Sequence, residues 1–279
     1  MWMNRCAVFL LAIISIFIYV GADIAEAETF VVEIMQMDDD IETFMVEVVD
    51  RAEHDGKTPL VLIYHSHTYE AYEQTENDPY QQTEKWRTKD EEHNVVAVGA
   101  ALAACLEAEG IQVVHDRTAF EPPNMDDAYS RSLQMLEERL ANGERYDLYI
   151  DLHRDALASS STVAKTVSIG GQDVARFMIL IGKGTTGGYD EKPDWEANLE
   201  IANSITKCLN QYHSSLARNV KIKSGRFNQH VADCCILIEC GINTNTLDEV
   251  LRGVPYLAGA IAQTLTNKEN PASASDAGQ

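Results

Sequence analysis

Residues 60–72, LVLIYHSHTYEAY, place two histidines and a glutamate directly after five apolar or aromatic residues. The apolar run is typical of a buried β-strand, so His65, His67 and Glu70 would follow its carboxyl end. Open α/β sheets bind their ligands at such strand ends, and zinc accepts imidazole and carboxylate donors. An ordinary polar surface loop would look the same, so this stretch alone leaves a metal site open.

Beyond this stretch, apolar segments alternate with segments of helical spacing. The strand patterns cover residues 59–67, 111–116, 146–155, 174–184 and 234–241, and the helical patterns cover residues 93–110, 126–143, 193–218 and 246–267. Strands that are apolar throughout and separated by helices indicate a sheet buried on both faces. We therefore predict an α/β fold with a mostly parallel sheet and helices on both faces.

The N-terminus is typical of an exported protein. Arg5 precedes the uncharged run CAVFLLAIISIFIYV, and Ala25-Glu26-Ala27 fits a small-x-small cleavage site. We expect a signal peptide at residues 1–27, with an uncleaved membrane anchor as the alternative. Residues 28–57 are interpreted as a linker that contains either a hairpin or a helix. The catalytic domain would cover 58–267 and a disordered tail 268–279.

The net charge of −22 excludes several classes of partner. An acidic surface repels nucleic acid and anionic lipid, so we expect no nucleic-acid binding and membrane contact only through the N-terminal segment. The six cysteines show no zinc-site spacing, and those of CCILIEC, residues 234–240, are interpreted as core residues, although one oxidised pair is possible.

Three predicted strands end in ionisable residues. Besides the first, the strand at 146–155 ends in a run that contains His153 and Arg154, and the strand at 234–241 carries Glu239. The carboxyl ends of neighbouring parallel strands meet in one crevice, so these residues can converge. Two histidines and a carboxylate with an open coordination position are typical of catalytic zinc, and a further glutamate could act as general base.

Other interpretations of these residues remain open. Asp151 and Asp155 could cap helices or orient His153, and Glu239 could simply pair with Arg154. His230 and Asn228 lie in the polar segment GRFNQH and could line the crevice to bind substrate. A serine hydrolase is the competing chemistry, but the chain contains no G-x-S-x-G motif.

At several of these motifs the sequence resembles the stage II sporulation protein P family, which is similar to zinc-dependent N-acetylmuramoyl-L-alanine amidases. The matching pieces occur in the family's order over about residues 58–266: IYHSHTYEAY, NVVAVGAALAACLEAEGIQVVHD, YSRSL, IDLHRDA, RFNQH and LIECGINTNTLDEV. Where the family has HTHTTES, this chain has HSHTYEA, which keeps both histidines and the glutamate.

The resemblance implies a zinc-dependent peptidoglycan hydrolase that cuts between N-acetylmuramic acid and L-alanine during engulfment of the forespore, with a lytic transglycosylase as partner. It implies His65, Glu70 and His153 as zinc ligands and Glu239 as the catalytic carboxylate. His67 is an alternative third ligand or a substrate contact, and Glu91 is a further alternative.

The mechanism expected from the resemblance assigns a role to each group. Glu239 would take a proton from zinc-bound water, and Arg154 would hold a substrate carboxylate or the developing oxyanion. Two other functions stay open, which are a zinc endopeptidase acting on stem-peptide crosslinks and a wall-binding module without catalysis.

Overall fold

The computed structural model describes residues 29–35, 41–47, 58–158 and 160–269, in two compact units divided at His54. In the first unit, strands β1 (Thr29–Met35) and β2 (Ile41–Glu47) pair antiparallel, so the segment interpreted as a linker contains a hairpin. The predicted signal peptide at residues 1–27 lies outside the described residues, as does all but the start of the predicted tail. Within the described residues, no helix combines the length and hydropathy needed to cross a membrane.

The second unit alternates strands and helices. In chain order these are β3 (Leu60–Tyr64), α1 (Val95–Ala108), β4 (Gln112–His115), α2 (Ala128–Ala141), β5 (Leu148–Asp155), β6 (Thr166–Ile169), β7 (Gln172–Ala175), β8 (Phe177–Gly182), α3 (Trp195–Tyr212), β9 (Lys221–Lys223), β10 (Cys235–Ile242), α4 (Leu247–Leu251) and α5 (Val254–Glu269). The helical pattern at residues 246–267 corresponds to two helices, α4 and α5.

The central sheet has six strands in the order β4-β3-β5-β10-β8-β9. Strands β4, β3, β5 and β10 run parallel, and β9 runs parallel to β8, whereas β8 is antiparallel to β10. Strands β6 and β7 form a separate hairpin. The predicted mixed α/β class with a mostly parallel sheet is therefore confirmed.

Helices cover both faces of the sheet. On one face, Val61 and Ile63 of β3 and Ile150 of β5 pack in a large apolar cluster with residues of α1, α3 and α5. On the other face, Tyr64 packs with Leu136 of α2 and with neighbouring strand residues. Because successive strand residues point to opposite faces, this packing fixes the face on which each side chain at the strand ends lies.

Helix α1 begins and ends beside residues that favour helix termini. The Asn94 side chain accepts a hydrogen bond from the Val96 amide at 2.9 Å, and Gly110 follows the helix with φ of +80°. This hydrogen bond satisfies one of the free N–H groups of the first helical turn. Glycine adopts a positive φ without steric cost. The loop of residues 65–94 therefore enters α1 at a fixed point beside the sheet edge.

The register of the sheet brings three strand ends together. Tyr64 of β3 pairs with Asp151 of β5, and His153 of β5 pairs with Glu239 of β10. Strand β5 lies between β3 and β10, so residues distant in sequence meet at one edge of the sheet. This edge carries the candidate site.

Candidate metal and catalytic site

His153 lies between two carboxylates. Its Nε2 is 2.8 Å from Asp151 Oδ1, and its Nδ1 is 3.2 Å from Glu70 Oε2. Burial alone would lower the pKa of His153, but the charge of Asp151 and the hydrogen bonds to both carboxylates outweigh it and raise the pKa well above its usual value. The ring orientation is therefore fixed from both sides.

Asp151 is held in place by the residue that follows His65. The Ser66 amide donates to Asp151 Oδ1 at 2.8 Å, and the Ser66 hydroxyl donates to Oδ2 at 2.6 Å. Burial opposes ionisation of Asp151, but His153 and the Ser66 donors lower its pKa overall. Of the two aspartates considered as partners of His153, Asp151 makes that contact, whereas Asp155 pairs with Arg218 at 2.8 Å.

Glu70 is anchored by Arg154. The Arg154 main-chain amide donates to Glu70 Oε2, and its Nη1 donates to Oε1, both at 3.1 Å. Burial would raise the pKa of Glu70, but the charge of Arg154 and the contacts with His153 lower it to about 2. The carboxylate is thus ionised and points at His153.

The side chain of Arg154 faces inward, a direction that the sequence does not predict. Its Nε donates to the Ala71 carbonyl at 3.1 Å and its Nη2 to the Trp86 carbonyl at 3.3 Å, in addition to the bonds to Glu70. With only 6% of the side chain exposed, these donors are directed at the loop of residues 70–86. The geometry therefore favours positioning of Glu70 over contact with a substrate carboxylate or an oxyanion.

His67 lies beside His153. The centroids of the two rings are 5.4 Å apart, and the Tyr129 ring lies 5.4 Å from His67 on another side. His67 Nδ1 is 3.4 Å from Glu121 Oε1, and Glu121 in turn binds Arg87 Nη2. Sequence reasoning missed Glu121, because only the path of the loop after β4 brings it here.

His65 does not join this cluster. It has the same parity along the chain as Val61 and Ile63, so its ring packs on the α1 side, where Nε2 is 2.8 Å from His115 Nε2. Its Nδ1 is 2.9 Å from the Leu152 carbonyl oxygen. Both ring nitrogens are therefore engaged away from His153, and the geometry does not support the predicted role of His65 as a ligand.

Glu239 is buried beside His153 and has an unsatisfied oxygen. The residue is 8% exposed, and Oε2 has no hydrogen-bond partner in the described part of the chain. Burial raises the pKa of Glu239 to about 7; His153 opposes this increase, and Glu70 and Asp155 add to it. The alternative pairing of Glu239 with Arg154 is not seen, since the donors of Arg154 bind Glu70, Ala71 and Trp86.

The two predicted substrate contacts differ in placement. Asn228 is buried, with φ of +54°, and its Nδ2 donates to the Tyr129 carbonyl at 2.8 Å, so it fixes the start of α2. His230 is half-buried, and its Nδ1 is without a hydrogen bond among the described residues. The alternative ligand Glu91 forms a surface ion pair with Arg117.

The donor chemistry of the cluster fits a zinc ion, although the side chains as they stand form no ready metal site. No group of three or more His, Cys, Asp or Glu within the described ranges is arranged to hold an ion. His153 Nδ1 and Glu70 Oε2, however, lie 3.2 Å apart, and two ligands of a tetrahedral zinc would be about 3.3 Å apart. The ring of His67 and the unsatisfied oxygen of Glu239 add further donors of the types that zinc accepts to this cluster.

Two solved amidase structures are similar to this chain at low sequence identity. It matches the amidase AmiC2 of Nostoc punctiforme with a TM-score of 0.43 at 17% identity, covering 76% of this chain and 97% of that one. It matches the CwlD amidase of Clostridioides difficile, solved in complex with the GerS lipoprotein, with a TM-score of 0.49 at 13% identity, covering 77% and 100%. Similarities at this level support no conclusion about the site.

The sequence comparisons are more specific. Stage II sporulation protein P of Bacillus subtilis (strain 168) is 26% identical over 234 residues, which cover 79% of this chain and 54% of the relative. The chain thus spans about half the length of the curated relative it matches. The model of the family described as stage II sporulation protein P matches residues 24–262. With the greater part of its length matched, this chain belongs to the stage II sporulation protein P family.

Proposed function

We propose that this chain is a zinc-dependent peptidoglycan hydrolase of sporulation, an N-acetylmuramoyl-L-alanine amidase that cuts the amide bond between N-acetylmuramic acid and L-alanine. The observation that carries the proposal is the position of Glu239. A buried carboxyl with a pKa near 7 and an unsatisfied oxygen lies beside a histidine–carboxylate cluster whose donors suit zinc. Family membership supports the choice of substrate.

The metal ligands in this proposal are His67, Glu70 and His153, with His67 in place of the His65 that the sequence suggested. His153 Nε2 is hydrogen-bonded to Asp151, so Nδ1 is the nitrogen available to coordinate the metal. Glu121 Oε1 lies 3.4 Å from His67 Nδ1, but no hydrogen bond joins them, so among the described residues no contact selects the ligating nitrogen of His67. A bound zinc ion would lower the pKa of a coordinated water and polarise the substrate carbonyl.

Glu239 performs the proton transfers. In its ionised form, its Oε2 accepts a proton from the attacking water, and it returns that proton to the nitrogen of the leaving L-alanine. A pKa near 7 suits a group that must both accept and donate a proton near neutral pH. Arg154 contributes by holding Glu70 ionised and oriented toward His153.

The proposed setting follows from the remaining features of the chain. The apolar run in residues 6–20 supports export, or tethering to a membrane, where peptidoglycan is found. The acidic charge supports membrane contact only through that segment, with no nucleic-acid partner. A lytic transglycosylase that cuts the glycan strands would be the natural partner of an enzyme that removes their peptides.

Metal removal and restoration test the proposal. Purified protein treated with a chelator and dialysed should lose cleavage of purified muropeptides, and added zinc should restore it. Zinc-loaded Glu239→Gln should stay inactive, with a loss on the order of a hundredfold or more. Cleavage that survives chelation would contradict zinc dependence, and full turnover by Glu239→Gln would contradict its role as base.

A further inference from the structure

A polar cavity lies at the same edge of the sheet as Glu239. Its volume is about 440 Å³, and its polar lining residues are Arg176, Asn210, Ser214, Ser215, Arg218 and Asn219. Two arginines, two serines and two asparagines therefore line one space. The lining, within the part of the chain described, includes no carboxylate, although acidic residues outnumber basic ones by two to one in the whole sequence.

The positive charge of this cavity is only partly compensated. Arg218 Nη1 binds Asp155 Oδ2 at 2.8 Å, but its Nε and Nη2 are buried without a hydrogen-bond partner among the described residues. Arg176 donates only to carbonyl oxygens, of Ser215 at 2.6 Å and Ala164 at 3.2 Å. Among the described residues, Asp155 thus binds Arg218, and no carboxylate bonds to Arg176. Buried donors without partners are costly.

The cavity is close to the candidate catalytic group. The Gly241 amide, two residues after Glu239, donates to the Arg176 carbonyl at 3.2 Å. Asp155, the partner of Arg218, lies two residues after His153 on β5, which is about 7 Å along the strand. A bound peptide in an extended conformation has a similar rise per residue. A substrate group one to three residues beyond the scissile amide could therefore reach the cavity.

We propose that Arg176 and Arg218 form an oxyanion-binding subsite that takes a free carboxylate of the substrate's stem peptide. This inference rests on the proposed function, since it is the amide hydrolysis at Glu239 that places a peptide beside the cavity. Guanidinium groups pair with carboxylates through charge-assisted hydrogen bonds, and the Asn and Ser side chains can bind the remaining lone pairs. The subsite takes the role that the sequence analysis had given to Arg154.

Binding can be measured separately from hydrolysis. The probes are a synthetic muropeptide with free stem carboxylates and its fully amidated counterpart, titrated calorimetrically into Glu239→Gln protein. The free-carboxylate form should bind about tenfold or more tightly, as one charged hydrogen bond implies. Adding Arg176→Gln should remove that preference and leave the affinity for the amidated form unchanged.

A matched control uses Arg145, an exposed arginine that also donates only to carbonyl oxygens, of Leu140 and Glu144. Arg145→Gln makes the same charge change and should leave both affinities unchanged. Arg176 is the better first target, because Arg218→Gln would leave Asp155 buried without its partner and could unfold the protein.

Three outcomes would overturn the subsite. One is that the protein with Arg176→Gln keeps its preference for the free-carboxylate muropeptide. Another is that Arg145→Gln reduces this preference as much as Arg176→Gln does. The third is Arg176-dependent binding of inorganic phosphate without Arg176-dependent binding of the muropeptide, which would assign the cavity to a phosphate. Failure of the proposed function is distinguishable, because wild-type protein would then cleave neither muropeptide, whatever Arg176 does to binding.

Discussion

The Nε2 atoms of His65 and His115 lie 2.8 Å apart beneath α1. Burial and the neighbouring histidine lower the pKa of His65 to about 3, and burial with Arg117 lowers the pKa of His115 to about 4, so both rings are neutral near pH 7. His65 Nδ1 must carry its proton to donate to the Leu152 carbonyl, so its Nε2 accepts from His115. The pair is a buried structural contact between β3 and β4.

Metal content separates the two histidines of the HSH motif. Wild-type protein should keep about one zinc per chain after dialysis, and His67→Ala, Glu70→Ala and His153→Ala should lose it. His65→Ala should keep zinc, since its ring nitrogens are engaged elsewhere. Zinc retained by His67→Ala, together with zinc lost from a His65→Ala protein that circular dichroism shows to be folded, would restore His65 as the ligand.

Gly99 of α1 leaves the space that the His65–His115 pair occupies. A Cβ atom there would lie 2.6 Å from His115 Nε2 and 2.7 Å from His65 Nε2, closer than packed atoms allow. Gly99→Ala should therefore lower the free energy of unfolding by about 1–3 kcal/mol, despite the better helix propensity of alanine. Urea unfolding measures this change.

Gly259 of α5 provides the matched control for this substitution. Its added Cβ would meet only the hydroxyl end of Tyr212, a half-exposed side chain that can move aside. Gly259→Ala should leave the stability unchanged or raise it by up to about 1 kcal/mol. Equal effects of the two substitutions would show that the histidine pair does not restrict position 99.

The raised pKa of Glu239 predicts that the free energy of unfolding depends on pH. Between pH 4.5 and about 7 the folded state keeps a proton that the unfolded state has released, so the contribution of Glu239 to stability falls as pH rises through this window. In metal-free protein, Glu239→Gln should therefore raise the free energy of unfolding at pH 8, by on the order of 3 kcal/mol, and change it little at pH 4.

Urea unfolding of both proteins in chelator at the two pH values checks this. The conservative change keeps the size of the side chain and removes only its titration. A stability difference that is the same at pH 4 and pH 8 would mean that Glu239 ionises in the folded protein as easily as in the unfolded chain.

The sequence predicts which strand ends form the site better than it predicts the directions of the side chains at those ends. Apolar runs located β3, β5 and β10, and their parallel arrangement made the approach of His153 and Glu239 predictable. His65 has the same parity as Ile63, which would place its ring under α1 if the strand continued to residue 65. The sequence does not show where the strand ends, so it does not predict the sheet face on which His65 and His67 lie.

Other parts of the site depend on contacts between distant segments. Glu121 reaches His67 only through the path of the loop after β4, and Arg154 turns toward carbonyl groups of the loop at residues 71–86. The antiparallel direction of β8 brings Arg176 to the edge that carries Glu239, and no local pattern announces that direction. The periodicity of apolar residues predicts which residues are buried. It does not predict contacts such as these, because they depend on the paths of the loops.

The most direct measurement is product analysis of purified muropeptides by mass spectrometry, with zinc-loaded wild-type protein and zinc-loaded Glu239→Gln. The account predicts that the wild type releases intact stem peptides with a free L-alanine amino terminus, together with lactyl-muramic sugar, and that the variant releases neither. New amino termini within the stem peptide, with L-alanine still joined to the sugar, would show an endopeptidase. An absence of any cleavage by the zinc-loaded wild type would contradict a catalytic role for the site.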